Sequence, residues 1–197
     1  MNQHTTPAPA NLNAMDAHPW LRPVTGLIGT WQGRGSGTYP TLAEDFAFEQ
    51  EITFSHDGRP FLHYEAAAWL LDADGRRSRP SGRENGWWRV APDGRVEALF
   101  THPIGLTEIC TGRATASEDL SIELSCDDIQ RTPTAREVTA SRRSYRLGEG
   151  VLHVSHQIAG VGHPLSEHLA VHLRPAAHHA QVPESTIARV PARHAAL

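Results

Sequence analysis

Gly29-Thr30-Trp31-Gln32-Gly33-Arg34-Gly35, followed by Gly37-Thr38-Tyr39-Pro40-Thr41, is the stretch on which the fold turns. Its G-x-W-x-G-x-G spacing is rich in glycine, yet a nucleotide-binding loop must open a helix, and the residues after this motif alternate like a strand. The segment therefore reads as a first β-strand with Trp31 facing the core. Its alternate glycines let the backbone bend sharply or pass close to a neighbour. Downstream, Phe46, Phe48, Gln50 and Ile52 alternate with Ala47, Glu49, Glu51 and Thr53, and only Gln50 interrupts the apolar face. Leu120-Ser121-Ile122-Glu123-Leu124 alternates cleanly, Arg95 to Phe100 follows a Pro92-Asp93-Gly94 turn, and Val151 to Ile158 follows Gly148-Glu149-Gly150. Short strands between Gly/Asp turns, with one helical turn over Pro19 to Ile28, predict an all-β protein: an up-and-down antiparallel barrel of about ten strands.

The chain has 197 residues, a length suited to one domain with tails. Residues 1–18 read as a disordered N-terminal tail, 19–174 as the barrel, and 175–197 as a disordered Ala/Pro/His-rich C-terminal tail. The N-terminus lacks the basic and apolar regions of a signal peptide, so the expected location is cytoplasmic. No apolar run approaches the roughly 20 residues of a membrane helix. A net charge of −4 gives no field for drawing in nucleic acid or an anionic membrane. Two cysteines, Cys110 and Cys126, are too few for a disulfide framework and form no CxxC pair. All 18 basic residues are arginine, and the 13 histidines raise the question of a metal.

Several blocks in order resemble the nitrobindin family of small haem-binding β-barrels. They are the opening glycine motif, Arg59-Pro60-Phe61-Leu62-His63-Tyr64, Glu84-Asn85-Gly86-Trp87-Trp88-Arg89, and His102 through Ile109. Pro133 through Ala140 and Val161 through Leu169 complete the series. The resemblance implies a ten-stranded barrel carrying ferric haem b at its mouth. It also implies isomerisation of peroxynitrite to nitrate, binding of nitric oxide, and His168 as the proximal iron ligand, from the closing P-L-x-x-H-L block. Neutral imidazole suits that role. Thr41 and Arg136 match family positions close to the haem, and an arginine suits a propionate. The expected oligomeric state is monomer or homodimer.

Other assignments compete. His163, His168 and His172 are an alternative zinc cluster, but no acidic or thiol ligand completes a zinc spacing. A barrel carrying a fatty acid would use Arg136, Arg142 or Arg143 for the carboxylate. A haem carrier or sensor would use the same His168 without catalysis. One departure from the family stands out: many members carry a histidine two residues before the E-x-G segment, and here Gly82 takes that place after a longer loop. By parity His102 and His156 point inward, and either is expected to replace the missing group, with Ile158 beside His156 in the haem wall. Strict alternation also sets Leu169, Val171 and Leu173 opposite His168. Those aliphatics are then expected to pack outside the barrel, under the N-terminal helix or a partner copy, unless a bulge intervenes.

Overall fold

A computed structural model describes residues 14–176. The expected tails lie almost wholly outside the described residues; within them a short 3₁₀ turn covers Ala14–Asp16. Ten antiparallel strands follow in meander order: β1 (Gly29–Gly37), β2 (Phe46–Ser55), β3 (Phe61–Leu71), β4 (Arg77–Val90), β5 (Arg95–His102), β6 (Leu106–Ala116), β7 (Leu120–Arg131), β8 (Ala140–Gly148), β9 (Val151–Gly160) and β10 (His163–Pro175). Each pairs with its successor, and β1 pairs with β10 to close the barrel, so no sheet edge is left open. Among the described residues no helix is long and apolar enough to cross a membrane.

Alternation builds the wall. In β5 the residues Val96, Ala98 and Phe100 are buried, while Arg95, Glu97 and Leu99 face out. The opening motif makes the seam. Gly33, Gly35 and Gly37 stand opposite Leu173, Val171 and Leu169 of β10. A Cβ at Gly35 would collide with the Ala170 carbonyl, and one at Gly37 would enter the Phe46 ring. Glycine is needed here for close approach, as the sequence implied.

The barrel is filled from below. The 3₁₀ helix Pro19–Leu27 buries Leu21, Val24 and Leu27 and packs against β6 and β7, closing the end opposite the β3–β4 hairpin. Trp31 Nε1 donates to the Leu27 carbonyl at 2.7 Å, which ties that plug to β1. Above it Phe54, Tyr64, Trp88, Phe100 and Tyr145 interlock edge to face, with centroids 4.9–5.4 Å apart along the chain of contacts. Cys110 and Cys126 are both fully buried and joined in a single disulfide between β6 and β7.

The expectation for β10 needs a correction. Leu169, Val171 and Leu173 belong to the barrel core, not to an outer face covered by the helix or a partner. Pairing with β9 shifts register between Glu167 and Leu169: Glu167 is opposite Gln157 and Leu169 is opposite His156. His168 is the extra residue of a β-bulge. A bulge abolishes the period of two at one point, so the histidine and the aliphatic residues after it both turn inward.

Candidate haem site

His168 projects from this bulge into a cavity near the barrel mouth. Phe46, Phe48 and Gln50 of β2, Ala66 and Ala68 of β3, Ser81, Gly82 and Glu84 of β4, and Leu169 line the rest. Thr38, one residue past the end of β1, holds His168 twice. Its N–H donates to the His168 carbonyl at 2.9 Å, and its own carbonyl lies 2.9 Å from Nδ1. A carbonyl only accepts, so Nδ1 carries the hydrogen and Nε2 keeps its lone pair. Burial pushes the imidazole pKa down, against the opposing pull of the Thr38 carbonyl. The result is a neutral imidazole of fixed tautomer, the form in which histidine ligates a metal. Tyr39 and Phe46 rings flank it at 5.7 and 6.4 Å.

Beneath the cavity runs a belt of buried charge. Arg143 donates to Glu84 through Nη1 at 2.9 Å and Nη2 at 3.2 Å, and to Glu108 through Nη2 at 2.8 Å. Its side chain is 4% exposed, as is that of Glu108. Tyr64 donates to Glu84 at 2.9 Å, Ser141 donates to Glu108, and the Arg143 guanidinium lies 4.2 Å from the Phe100 ring centroid. Burial alone would raise the Glu84 pKa, but Arg143 and then His102 outweigh it and hold the carboxyl at about 2. Glu108 is lowered on the same grounds. Burial would likewise lower Arg143, yet the two carboxylates raise it well above its usual value. The belt is ionised and paired at neutral pH.

The residues singled out by sequence fall into different places. His102 Nε2 sits 2.8 Å from Glu108 and Nδ1 sits 3.7 Å from Glu84, so its ring is committed to the belt. His156 is buried on β9 beside His168, with ring centroids 6.0 Å apart, and its Nε2 has no hydrogen-bond partner. Desolvation, then the nearby Arg143, hold its pKa at about 3. Neither histidine lines the cavity between His168 and Gly82. Ile158 lies two residues beyond His156 on β9, paired with Ser141 and Ser166. Thr41 and Arg136 are exposed in two loops at the mouth, β1–β2 and β7–β8. Arg142 points outward to Asp127 at 2.9 Å. The three histidines of the zinc alternative do not converge: His163 lies against Tyr39, while His172 faces out and meets His153 at 4.4 Å. Among the described residues the one grouping of three possible metal ligands is Glu108, Cys110 and Cys126, and its cysteines are disulfide-bonded.

Sequence reasoning passed over Glu84, Glu108, Tyr64 and Gln50 as site residues. The signal was present: each is a polar group at inward parity on a strand whose other inward residues are apolar.

The family model described as a THAP4-like, heme-binding beta-barrel domain matches residues 20–174. A protein named peroxynitrite isomerase from Streptomyces griseus subsp. griseus is 57% identical over 158 residues, covering 80% of this chain and 84% of that relative. One of the same name from Salinispora tropica is 48% identical over 161 residues, covering 79% and 80%. The crystal structure of Rv2717c from M. tuberculosis superposes with a TM-score of 0.75 at 40% identity, covering 82% of this chain and 99% of that one.

Proposed function

Because the chain belongs to the THAP4-like, heme-binding β-barrel domain family, we propose that it isomerises peroxynitrite to nitrate on a ferric haem b held by His168. The observation that supports this reading best is the His168 imidazole, whose Nδ1–H is taken by the Thr38 carbonyl, which leaves the Nε2 lone pair for a cavity walled by Phe46, Phe48, Ala66, Ala68 and Leu169 with Gln50, Ser81 and Glu84 among them. The residues present fit the group: one neutral axial donor, a wall of Phe46, Phe48, Ala66, Ala68 and Leu169, and arginines at the mouth for propionates. Bound haem supplies the iron centre on which the peroxide bond of the substrate is rearranged.

The chain's own residues supply the rest. Thr38 orients His168 and fixes its tautomer. Phe46, Phe48 and Leu169 line the cavity beside His168 and would keep water from the iron ligand, while His156 and Ile158 stand on the neighbouring strand β9, outside that lining. Arg136 and Thr41 stand in the mouth loops and would be the residues to hold propionates, and among the described residues Arg136 has no ion pair that would have to be broken. No side chain is required as nucleophile or acid. The same iron centre would take nitric oxide as a second ligand.

The fatty-acid alternative finds no support in the barrel. Its inward arginine, Arg143, is already neutralised by two carboxylates, and aromatic side chains fill the lumen below. Reconstitution with hemin tests the proposal. The loaded chain should accelerate peroxynitrite decay and shift the product toward nitrate, while the apo chain and free hemin at equal concentration should not. Decay no faster than with free hemin would refute the isomerase reading and leave a carrier or sensor.

A further inference from the structure

The β3–β4 hairpin carries four arginines near the mouth: Arg76, Arg77, Arg79 and Arg83. Three of them are engaged. Arg76 lies 3.8 Å from Asp74, Arg77 bridges to Glu49 and stacks over Trp69 at 3.8 Å, and Arg83 covers the same indole at 4.9 Å. Arg79 differs: among the described residues no hydrogen bond, ion pair or ring contact holds it.

Register explains the difference. Arg77 pairs with Leu71 and Arg79 with Leu70, so Ser78 is an extra residue. Cross-strand partners share a face. Leu70 packs against the core, as does Phe48, its partner on β2. The shift therefore brings Arg79 to the inner side of the rim while Arg77 stays outside. Three residues further on, Gly82 lines the cavity that His168 enters. A Cβ there would meet nothing closer than Ala68 Cβ at 3.9 Å, so the wall facing His168 is open at that point. Glu84, the carboxylate lining this cavity, is taken by Arg143 and Tyr64. It leaves Arg79 without a counter-ion of the protein's own.

We propose that Arg79 and the space at Gly82 form an anion subsite, in which the guanidinium holds a small monoanion on the side of the haem turned away from His168. This rests on the haem reading above and deepens it. Peroxynitrite is such an anion, and a guanidinium is always charged and grips oxyanions through a planar fork of donors. A neutral ligand gains nothing from it. The subsite thus favours anionic over neutral ligands at iron, using an arginine of the β3–β4 hairpin.

The test compares hemin-loaded wild type with Arg79→Ala and Arg79→Lys, titrated by absorbance with azide, fluoride and neutral imidazole. Hemin affinity is measured separately on each apo protein. Arg79 is exposed and unbonded, so neither change should disturb folding. Arg79→Ala should raise the Kd for azide and fluoride about tenfold, the worth of one charge-assisted hydrogen bond. Imidazole and hemin affinities should stay within about twofold, and Arg79→Lys should recover part of the loss. Unchanged anion affinity overturns the proposal, and so does an equal loss for imidazole. A loss of hemin affinity alone also overturns it, by assigning Arg79 to a propionate. Wild type that takes up no hemin refutes the haem reading itself, before any anion is added.

Discussion

Replacing Arg143 with methionine should convert the charged belt from a support into a liability, and pH should reveal it. The substitution keeps much of the side-chain volume but leaves Glu84 and Glu108 buried without their common cation. In the wild type Glu84 sits at about 2, against 4.5 for the free group, although burial acts in the opposite direction. That shift alone corresponds to about 3 kcal/mol of stability at neutral pH. Stranding a buried charge by deleting its partner costs about 3–5 kcal/mol. The sign of the pH dependence then reverses. Wild-type carboxylates are depressed, so their contribution is fully present above about pH 4.5 and fades as pH falls toward 2. In Arg143→Met the carboxyls are raised by burial, so the folded variant binds protons more readily than its unfolded chain and gains stability as pH falls. Urea unfolding at pH 8 and pH 5 reads this directly. The deficit against wild type should be about 3–5 kcal/mol at pH 8 and less than half of that at pH 5. A deficit below about 1 kcal/mol, or one equal at both pH values, would refute the description of the belt as an ionised, mutually dependent unit.

Other consequences are as concrete. His156 has a folded pKa of about 3, so its unfolded form takes a proton near pH 6.5 that the folded form refuses. It should withdraw about 2 kcal/mol of stability between pH 7 and pH 5, and His156→Leu should flatten that part of a stability–pH curve. Gly35→Val should strip about 3 kcal/mol by driving β1 off β10, whereas Ser36→Val on the other face should stay within about 0.5 kcal/mol; thermal melts of both variants check the seam. Cys110→Ala/Cys126→Ala should lower unfolding free energy by about 3 kcal/mol in urea titrations, as expected for a cross-link with a sequence separation of 16.

How much of the fold and site was legible beforehand depended on range. Strands such as Leu120–Leu124 announce themselves because alternation is local, and the Gly33, Gly35, Gly37 spacing announces a close approach without saying to what. Its partner, β10, is more than 120 residues away. The position of His168 shows where local pattern fails. Counting by twos from Val171 sends it outward, and only the extra residue opposite β9 turns it in. The charged belt failed differently. Glu84, Glu108 and Arg143 are visible one at a time as polar breaks in apolar faces, but β4, β6 and β8 bring them together only once the barrel closes. Arg79 combines both obstacles, since its inward turn depends on a register shift at Ser78 and its freedom on the pairing of every neighbouring arginine.

The central claim is that one imidazole, His168, holds the iron. Hemin titration of wild type and His168→Gly, followed at the Soret band with and without added imidazole, tests it most directly. The account predicts a tight one-to-one complex for wild type, a large loss of affinity with an altered spectrum for the variant, and recovery of a wild-type-like spectrum when free imidazole fills the vacated space. A His168→Gly protein that binds hemin with wild-type affinity and an unchanged spectrum would contradict it.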